Sequence, residues 1–235
     1  MSVYHFWASG FGLVREVLHR GIHISFVLAL VFLLFGWNKK DDLNKTNKGY
    51  FYFQNISILD YIFAFLAVGS ALYLPFLPSK ELAIIVGRAV LVDVFIGSVL
   101  IILTLEAARR SVGPTLPIIA IIFTLFALFE PLAPGAWKHG GTSWLGFVNH
   151  IYITNQGVYG IAVGVMAQYV FLFILFGVLA TRVGLGKLFI DLAMVVAGRF
   201  SGGPAKVAIF SSAFMGTISG SSIANTVTTG SLTIP

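Results

Sequence analysis

Cysteine is absent from this chain, and charge is scarce: Asp, Glu, Lys and Arg make up 10% of its 235 residues. Without cysteine there can be no disulfide framework of the kind that holds small secreted domains together. An ordinary soluble domain carries roughly 25% charged residues, so this chain has too few to clothe a water-facing surface of its size. Catalytic signatures are missing too. The sequence contains no P-loop, no G-x-S-x-G and no H-E-x-x-H. His5, His19, His23, His139 and His150 are scattered rather than clustered. No enzyme and no organic cofactor is expected.

What is present is apolar. Hydrophobic residues make up 57% of the chain, and phenylalanine alone accounts for 22 residues. That richness excludes disorder and leaves an integral membrane protein. The formal net charge of +6 does not argue for nucleic acid, because lysine and arginine collect in the loops of membrane proteins and set their orientation.

A spanning helix needs roughly 20 apolar residues, since the hydrocarbon core is about 30 Å thick and each residue rises about 1.5 Å. Five stretches qualify: 21–37, 58–78, 83–106, 115–132 and 161–180. Residues 3–20 mix Phe6, Trp7, Phe11 and Leu18 with Arg15, Glu16, His19 and Arg20, and predict an interfacial amphipathic helix. Residues 38–55 form a polar, lysine-rich loop. Residues 134–160 are long, aromatic and weakly charged, and predict a strap along the membrane surface. If the Arg109–Arg110 turn is cytoplasmic, ten of the fifteen basic residues lie inside. Glu106 stands three and four residues before those arginines and predicts a salt bridge at the turn. Asp93 can pair with Arg88 or snorkel. Asp60 and Glu130 sit near the ends of spans.

The pattern changes after the fifth span. Residues 184–198 predict a short amphipathic arm helix, with Leu188, Phe189, Leu192, Val195 and Val196 at helical spacing. Two apolar pieces too short to span, 205–218 and 223–235, flank the polar tetrad Ser219, Gly220, Ser221 and Ser222. They read as helix, break, helix: a re-entrant hairpin. Irregular backbone at membrane depth is tolerated where it lines a cavity, and transporters use it to offer carbonyls and helix ends to ions and substrates. The tetrad offers hydroxyls and a permissive glycine, Asn225 an amide and Thr226 another hydroxyl. A helix start at Ile223 would present N–H groups to an anion, and the carbonyls of residues 215–219 would suit Na⁺. Small residues also mediate close packing, and Gly216 to Gly220 is itself a G-x-x-x-G, so composition leaves a packing surface open beside a binding site.

The string GRFSGGPAKVAIFSSAFMGTISGSSIANTVTTGSLTIP closely resembles the large permease subunit of TRAP (tripartite ATP-independent periplasmic) transporters, in particular the type with small and large subunits fused. The likeness extends back through LEAARRSVG and FLFILFGVLATRVGLGKLFIDLA, covering roughly residues 105–235. It implies Na⁺-coupled, elevator-type uptake of an organic acid such as a dicarboxylate or glutamate. The acid would be delivered by an extracytoplasmic binding protein of the TAXI class, across a bacterial or archaeal cytoplasmic (inner) membrane. Carried over by resemblance, Ser219, Gly220, Ser221 and Asn225 belong to the Na⁺ site, and Ser221, Ser222, Asn225 and Thr226 face the substrate. Residues 1–112 would correspond to the small subunit and 113–235 to the start of the large one. The family's second hairpin and inverted repeat have no counterpart in these 235 residues. The chain is therefore expected to be an N-terminal piece of a longer permease or the product of a broken frame, inactive without the remainder. The rival expectation is a non-transporting membrane scaffold or assembly subunit.

Overall fold

The computed structural model describes residues 1–12, 14–37, 52–53, 56–87, 90–132, 140–218 and 225. Among them the chain is all-α apart from one small antiparallel ladder, in which Tyr52 pairs with Ser57 and Phe53 with Ile56. Contacts divide the chain into two compact units. One comprises Met1 and residues 13–164, and the other residues 2–12 and 165–235.

Four helical stretches are long and apolar enough to cross a membrane: α2 (Glu16–Leu34), α3 (Ile58–Phe76), α5 (Leu91–Ser111) and the stretch Ile161–Ala180. This is a multi-pass membrane protein. The fifth expected span is shorter. Helix α6 (Thr115–Phe129) has 15 residues and tightens into a 3₁₀ turn at Glu130–Leu132. At about 1.5 Å per residue it reaches about 22 Å, short of the hydrocarbon thickness. Residues 3–20 do not form one amphipathic helix. Helix α1 (Ser2–Phe11) stops before Gly12, whose φ of +117° suits glycine, and residues 16–20 already belong to α2. The third span begins at Leu91, after the separate helix α4 (Ser79–Gly87). Asp93 accounts for that start. Its Oδ2 accepts from the Val90 N–H at 3.0 Å, satisfying a donor at the helix start, while its Oδ1 accepts from the Tyr73 hydroxyl at 2.8 Å. Arg88, the other half of the expected pair, lies outside the described residues.

In the first unit α2, α3 and α5 pack as three helices, with α3 antiparallel to both others. Their buried stripes follow helical spacing: Ile24, Leu28 and Phe32 on α2, Ala64, Ala67, Ala71 and Leu74 on α3, and Gly97, Leu100, Leu103 and Ala107 on α5. The small residues of α3 let backbones approach closely. At one end of the bundle Arg110, its side chain fully buried, donates to Asp60 Oδ1 at 2.7 Å, to Glu106 Oε1 at 2.7 Å and to the Phe35 carbonyl at 3.2 Å. Its guanidinium lies 5.0 Å from the ring centre of Phe32, 5.3 Å from that of Trp37 and 5.6 Å from that of Phe63. Arg109 completes the group by gripping both oxygens of Glu106, at 2.7 and 2.8 Å. Two cations thus meet two carboxylates, which lowers the cost of holding charge at membrane depth. The Glu106 bridge is the one the spacing predicts. The link to Asp60 ties three helix ends together.

At the other end α3 contains Pro75. Proline has no N–H, so the Ala71 carbonyl one turn back loses its helical donor. The Tyr159 hydroxyl replaces it, donating to Ala71 O at 2.9 Å, and the Tyr152 hydroxyl donates to the neighbouring Ser70 O at 2.8 Å. Burial pushes both phenols above their ordinary pKa, so each keeps its proton and remains a donor. Arg15 caps the end of the same helix through the carbonyls of Pro75, at 2.8 Å, and Leu77, at 3.1 Å. On α2 a side chain at Gly21 would strike the Pro75 ring, and its Cβ would lie 3.0 Å from Ala71 O.

The tyrosines belong to a segment expected on the membrane surface. Helix α7 (Trp144–Val148) runs into a π turn at Asn149–Ile153. Val148, Tyr152 and Tyr159 are fully buried. Any Cβ at Gly97 would come within 2.6 Å of both Val148 and Tyr152, so the glycine makes the seat into which they fit. Trp144 Nε1 donates to Ser98 Oγ at 2.9 Å, and Arg20 Nη1 donates to the Tyr159 carbonyl at 2.6 Å. The segment is part of the core because its hydroxyls have acceptors to meet there.

Two stability effects follow from the two ends of the bundle. Arg110→Leu should lower unfolding stability in detergent by about 3–5 kcal/mol, since it strands buried Asp60. Arg109→Leu, half-exposed, should cost under about 1 kcal/mol. Tyr159→Phe should cost about 1–3 kcal/mol by leaving the Ala71 carbonyl unmet. Thermal denaturation of the purified protein reads all three, and equal effects for the two arginines would contradict the account of the ion group.

Candidate functional site

The candidate site lies at the end of the second unit. After α8 (Ile161–Val165), which belongs to the first unit up to Gly164, the second unit runs through a π turn at Met166–Val170 into α9 (Phe171–Arg182), and then into α10 (Leu185–Ala197) and α11 (Gly203–Ile218). Gly184 makes the turn between α9 and α10 with φ +94°, a conformation that costs glycine little. Helix α10 is the short helix expected over 184–198. Its buried face is made of small residues, Gly186, Ala193 and Ala197. Its larger side chains, among them Leu188, Leu192 and Val195, are exposed.

Against that small-residue face packs α11, with Val207 buried in the same cluster as Ala193 and Ala197 and with Phe214 5.8 Å from Phe189 between ring centres. Pro204 stands in the first turn of α11, where its missing N–H costs nothing. Val207, Ala208, Ser211 and Met215 form the buried stripe. The hydroxyls of this helix are largely turned onto its own backbone. Ser211 Oγ donates to the Ala208 carbonyl at 3.1 Å and Thr217 Oγ1 to the Phe214 carbonyl at 2.6 Å. For the buried Ser211 this pairing satisfies a polar group that solvent does not reach.

Asn225 is the sequence-predicted residue that the structure describes. Its Nδ2 donates to the Ser212 carbonyl at 3.1 Å, and Ser212 Oγ donates to Asn225 Oδ1 at 3.4 Å. Residues thirteen apart in sequence therefore meet. The second apolar piece is described at this one residue. Ser219, Gly220, Ser221, Ser222 and Thr226 lie outside the described residues, as does the expected helix start at Ile223. Ser212 is the partner that sequence reading missed: it sits among ordinary helix residues, and nothing in its spacing marks it.

Gly216 bears on the packing alternative. It is exposed, and a Cβ there would meet only Asn225 Nδ2, at an ordinary 3.7 Å. Among the described residues no helix approaches it closely enough to require glycine. Nor do the described residues contain a group of three or more His, Cys, Asp or Glu able to hold a metal ion. An alkali cation here would rest on carbonyl, hydroxyl and amide oxygens.

Comparison with known families gives a match. The model described as "Tripartite ATP-independent periplasmic transporter, DctM component" matches residues 99–235, more than half of the chain. No curated protein and no solved structure matches significantly.

The Ser212–Asn225 contact is open to direct test, because the chain has no cysteine of its own. A Ser212→Cys, Asn225→Cys double variant should form an intrachain disulfide under mild oxidation in membranes, and a Ser212→Cys, Thr217→Cys control should not. Persistently free thiols in the first variant would mean that the two segments do not meet.

Proposed function

Because the chain belongs to the family of DctM components of tripartite ATP-independent periplasmic transporters, we propose that it takes part in Na⁺-coupled uptake of an organic acid across a bacterial or archaeal cytoplasmic membrane. The family match over residues 99–235 is the observation that carries the reading. A dicarboxylate or glutamate-like anion fits the offered chemistry of hydroxyls, an amide and helix ends. An extracytoplasmic binding protein would deliver it, and the remainder of the permease would supply the second half of the site. Residues 1–112 would act as the small-subunit-like part and 113–235 as the beginning of the large one. In this reading α10 is the arm of an elevator and α11 the first limb of its hairpin.

The Asn225–Ser212 clasp supports the hairpin. It gives Asn225 a holding role beside its proposed ligand role. Ser219, Gly220 and Ser221 would lie with it at the Na⁺ site, and Ser221, Ser222 and Thr226 would join it against the substrate. The chain alone would not transport, because half of an inverted-repeat site leaves ion and substrate without their other ligands.

In the complete permease, Ser221→Ala and Asn225→Ala should each abolish Na⁺-dependent uptake while membrane insertion stays intact. Radiolabelled uptake into proteoliposomes with and without a Na⁺ gradient measures this. Undiminished uptake in both variants would remove these residues from the site.

A further inference from the structure

Helix α11 carries the hydroxyl side chains Ser211, Ser212 and Thr217. Ser211 and Thr217 each donate to the carbonyl three residues back on the same helix, which is the ordinary resting place of a helical hydroxyl. Ser212 departs from that habit. Its hydroxyl leaves the helix and meets Asn225 Oδ1 at 3.4 Å, while its own carbonyl accepts from Asn225 Nδ2 at 3.1 Å. One residue thus addresses both ends of one amide.

The two contacts are not interchangeable. A backbone carbonyl can only accept, so it must meet the amide nitrogen, whereas a hydroxyl can donate and so can meet the oxygen. Turned over, the amide would set Oδ1 against the Ser212 carbonyl, acceptor against acceptor. Ser212 therefore decides which way round Asn225 stands. That choice matters for a ligand, because a hard cation takes oxygen and is repelled by the N–H groups at the other end of the amide. The contacts engage one of the two Nδ2 donors and one of the two Oδ1 lone pairs, so holding the oxygen does not by itself exhaust it. A side chain ordered in advance also loses less freedom when the ligand arrives. We propose, resting on the transport reading in which Asn225 is a Na⁺ ligand, that Ser212 is a positioning residue for that site: its carbonyl and hydroxyl together hold the Asn225 amide with Oδ1 turned for the ion.

A Na⁺ titration of the purified complete permease tests it, with NaCl replacing choline chloride at constant ionic strength and thermal stabilisation as the readout. Ser212→Ala keeps the carbonyl, removes the hydroxyl and suits a helix. It should raise the Na⁺ concentration for half-maximal stabilisation about three- to tenfold, the size expected of one hydrogen bond, with the plateau at saturating Na⁺ retained. Ser212→Thr, which restores a hydroxyl, should return the native value, and Ser211→Ala next door should leave it unmoved. The melting temperature in choline chloride alone reads any structural loss. An unchanged half-maximal concentration in Ser212→Ala, with or without a lower melting temperature in choline, would overturn the proposal, as would a threonine variant as impaired as the alanine one. Asn225→Ala separates this role from the reading beneath it. Native Na⁺ stabilisation in that variant would remove Asn225 as a ligand, and the role of Ser212 with it. Loss of stabilisation there, beside a Ser212→Ala variant that matches the native protein, would remove the positioning role alone.

Discussion

A polar group inside hydrocarbon must find its partner within the protein, and the first unit is arranged around the places where that requirement is hardest to meet. Proline in α3 takes a donor away from Ala71. An arginine near the end of α5 carries a charge that water cannot reach. Each is answered by residues far away in sequence: Tyr159 for the carbonyl, Asp60 and the Phe35 carbonyl for the guanidinium. Apolar contact alone does not choose one register for these helices, since lipid is as apolar as leucine. The polar pairs do. With Arg110 fastening one end and the tyrosines the other, the antiparallel register of α3 against α5 is set at both ends.

How much of this is legible in the sequence depends on the range of the interaction. Helix α3 and the stretch 161–180 can be read off as apolar runs, because twenty apolar residues in a row have few other uses. The Glu106–Arg109–Arg110 bridge can be read from spacing, because its members are three and four residues apart on one helix. The link from Arg110 to Asp60 cannot, with fifty residues between them. Aromatic composition misled at Tyr152 and Tyr159: tyrosines and tryptophans at a membrane surface look the same in sequence as tyrosines that bring hydroxyls to carbonyls near a buried proline. Helix α6 misled through its ending, where Glu130 and Pro131 begin a tighter turn and leave too few residues to span.

The candidate site shows the same division. The hydroxyl-rich string 219–226 stands out by composition, and its likeness to the permease family agrees with the family match. Asn225 could be named from that string but Ser212, which it meets, could not. On α10 the apolar residues that reveal the helix by their spacing are the exposed ones, while its packing rests on Gly186, Ala193 and Ala197. Periodicity locates an amphipathic helix without telling which neighbour its small residues will meet.

The proline of α3 has a consequence in time. Its unmet carbonyl at Ala71 waits for a hydroxyl 88 residues further along the chain. At about 5–20 residues per second, translation needs roughly 4–18 s to deliver it. During that interval α3 sits in the bilayer with an open acceptor one turn before its proline, next to the α2 groove around Gly21. The first three helices can insert and pair on their own stripes, but the bundle closes only when Tyr159 emerges. The order of synthesis is thereby written into the order of assembly, with the last residues of the unit acting as its clasp.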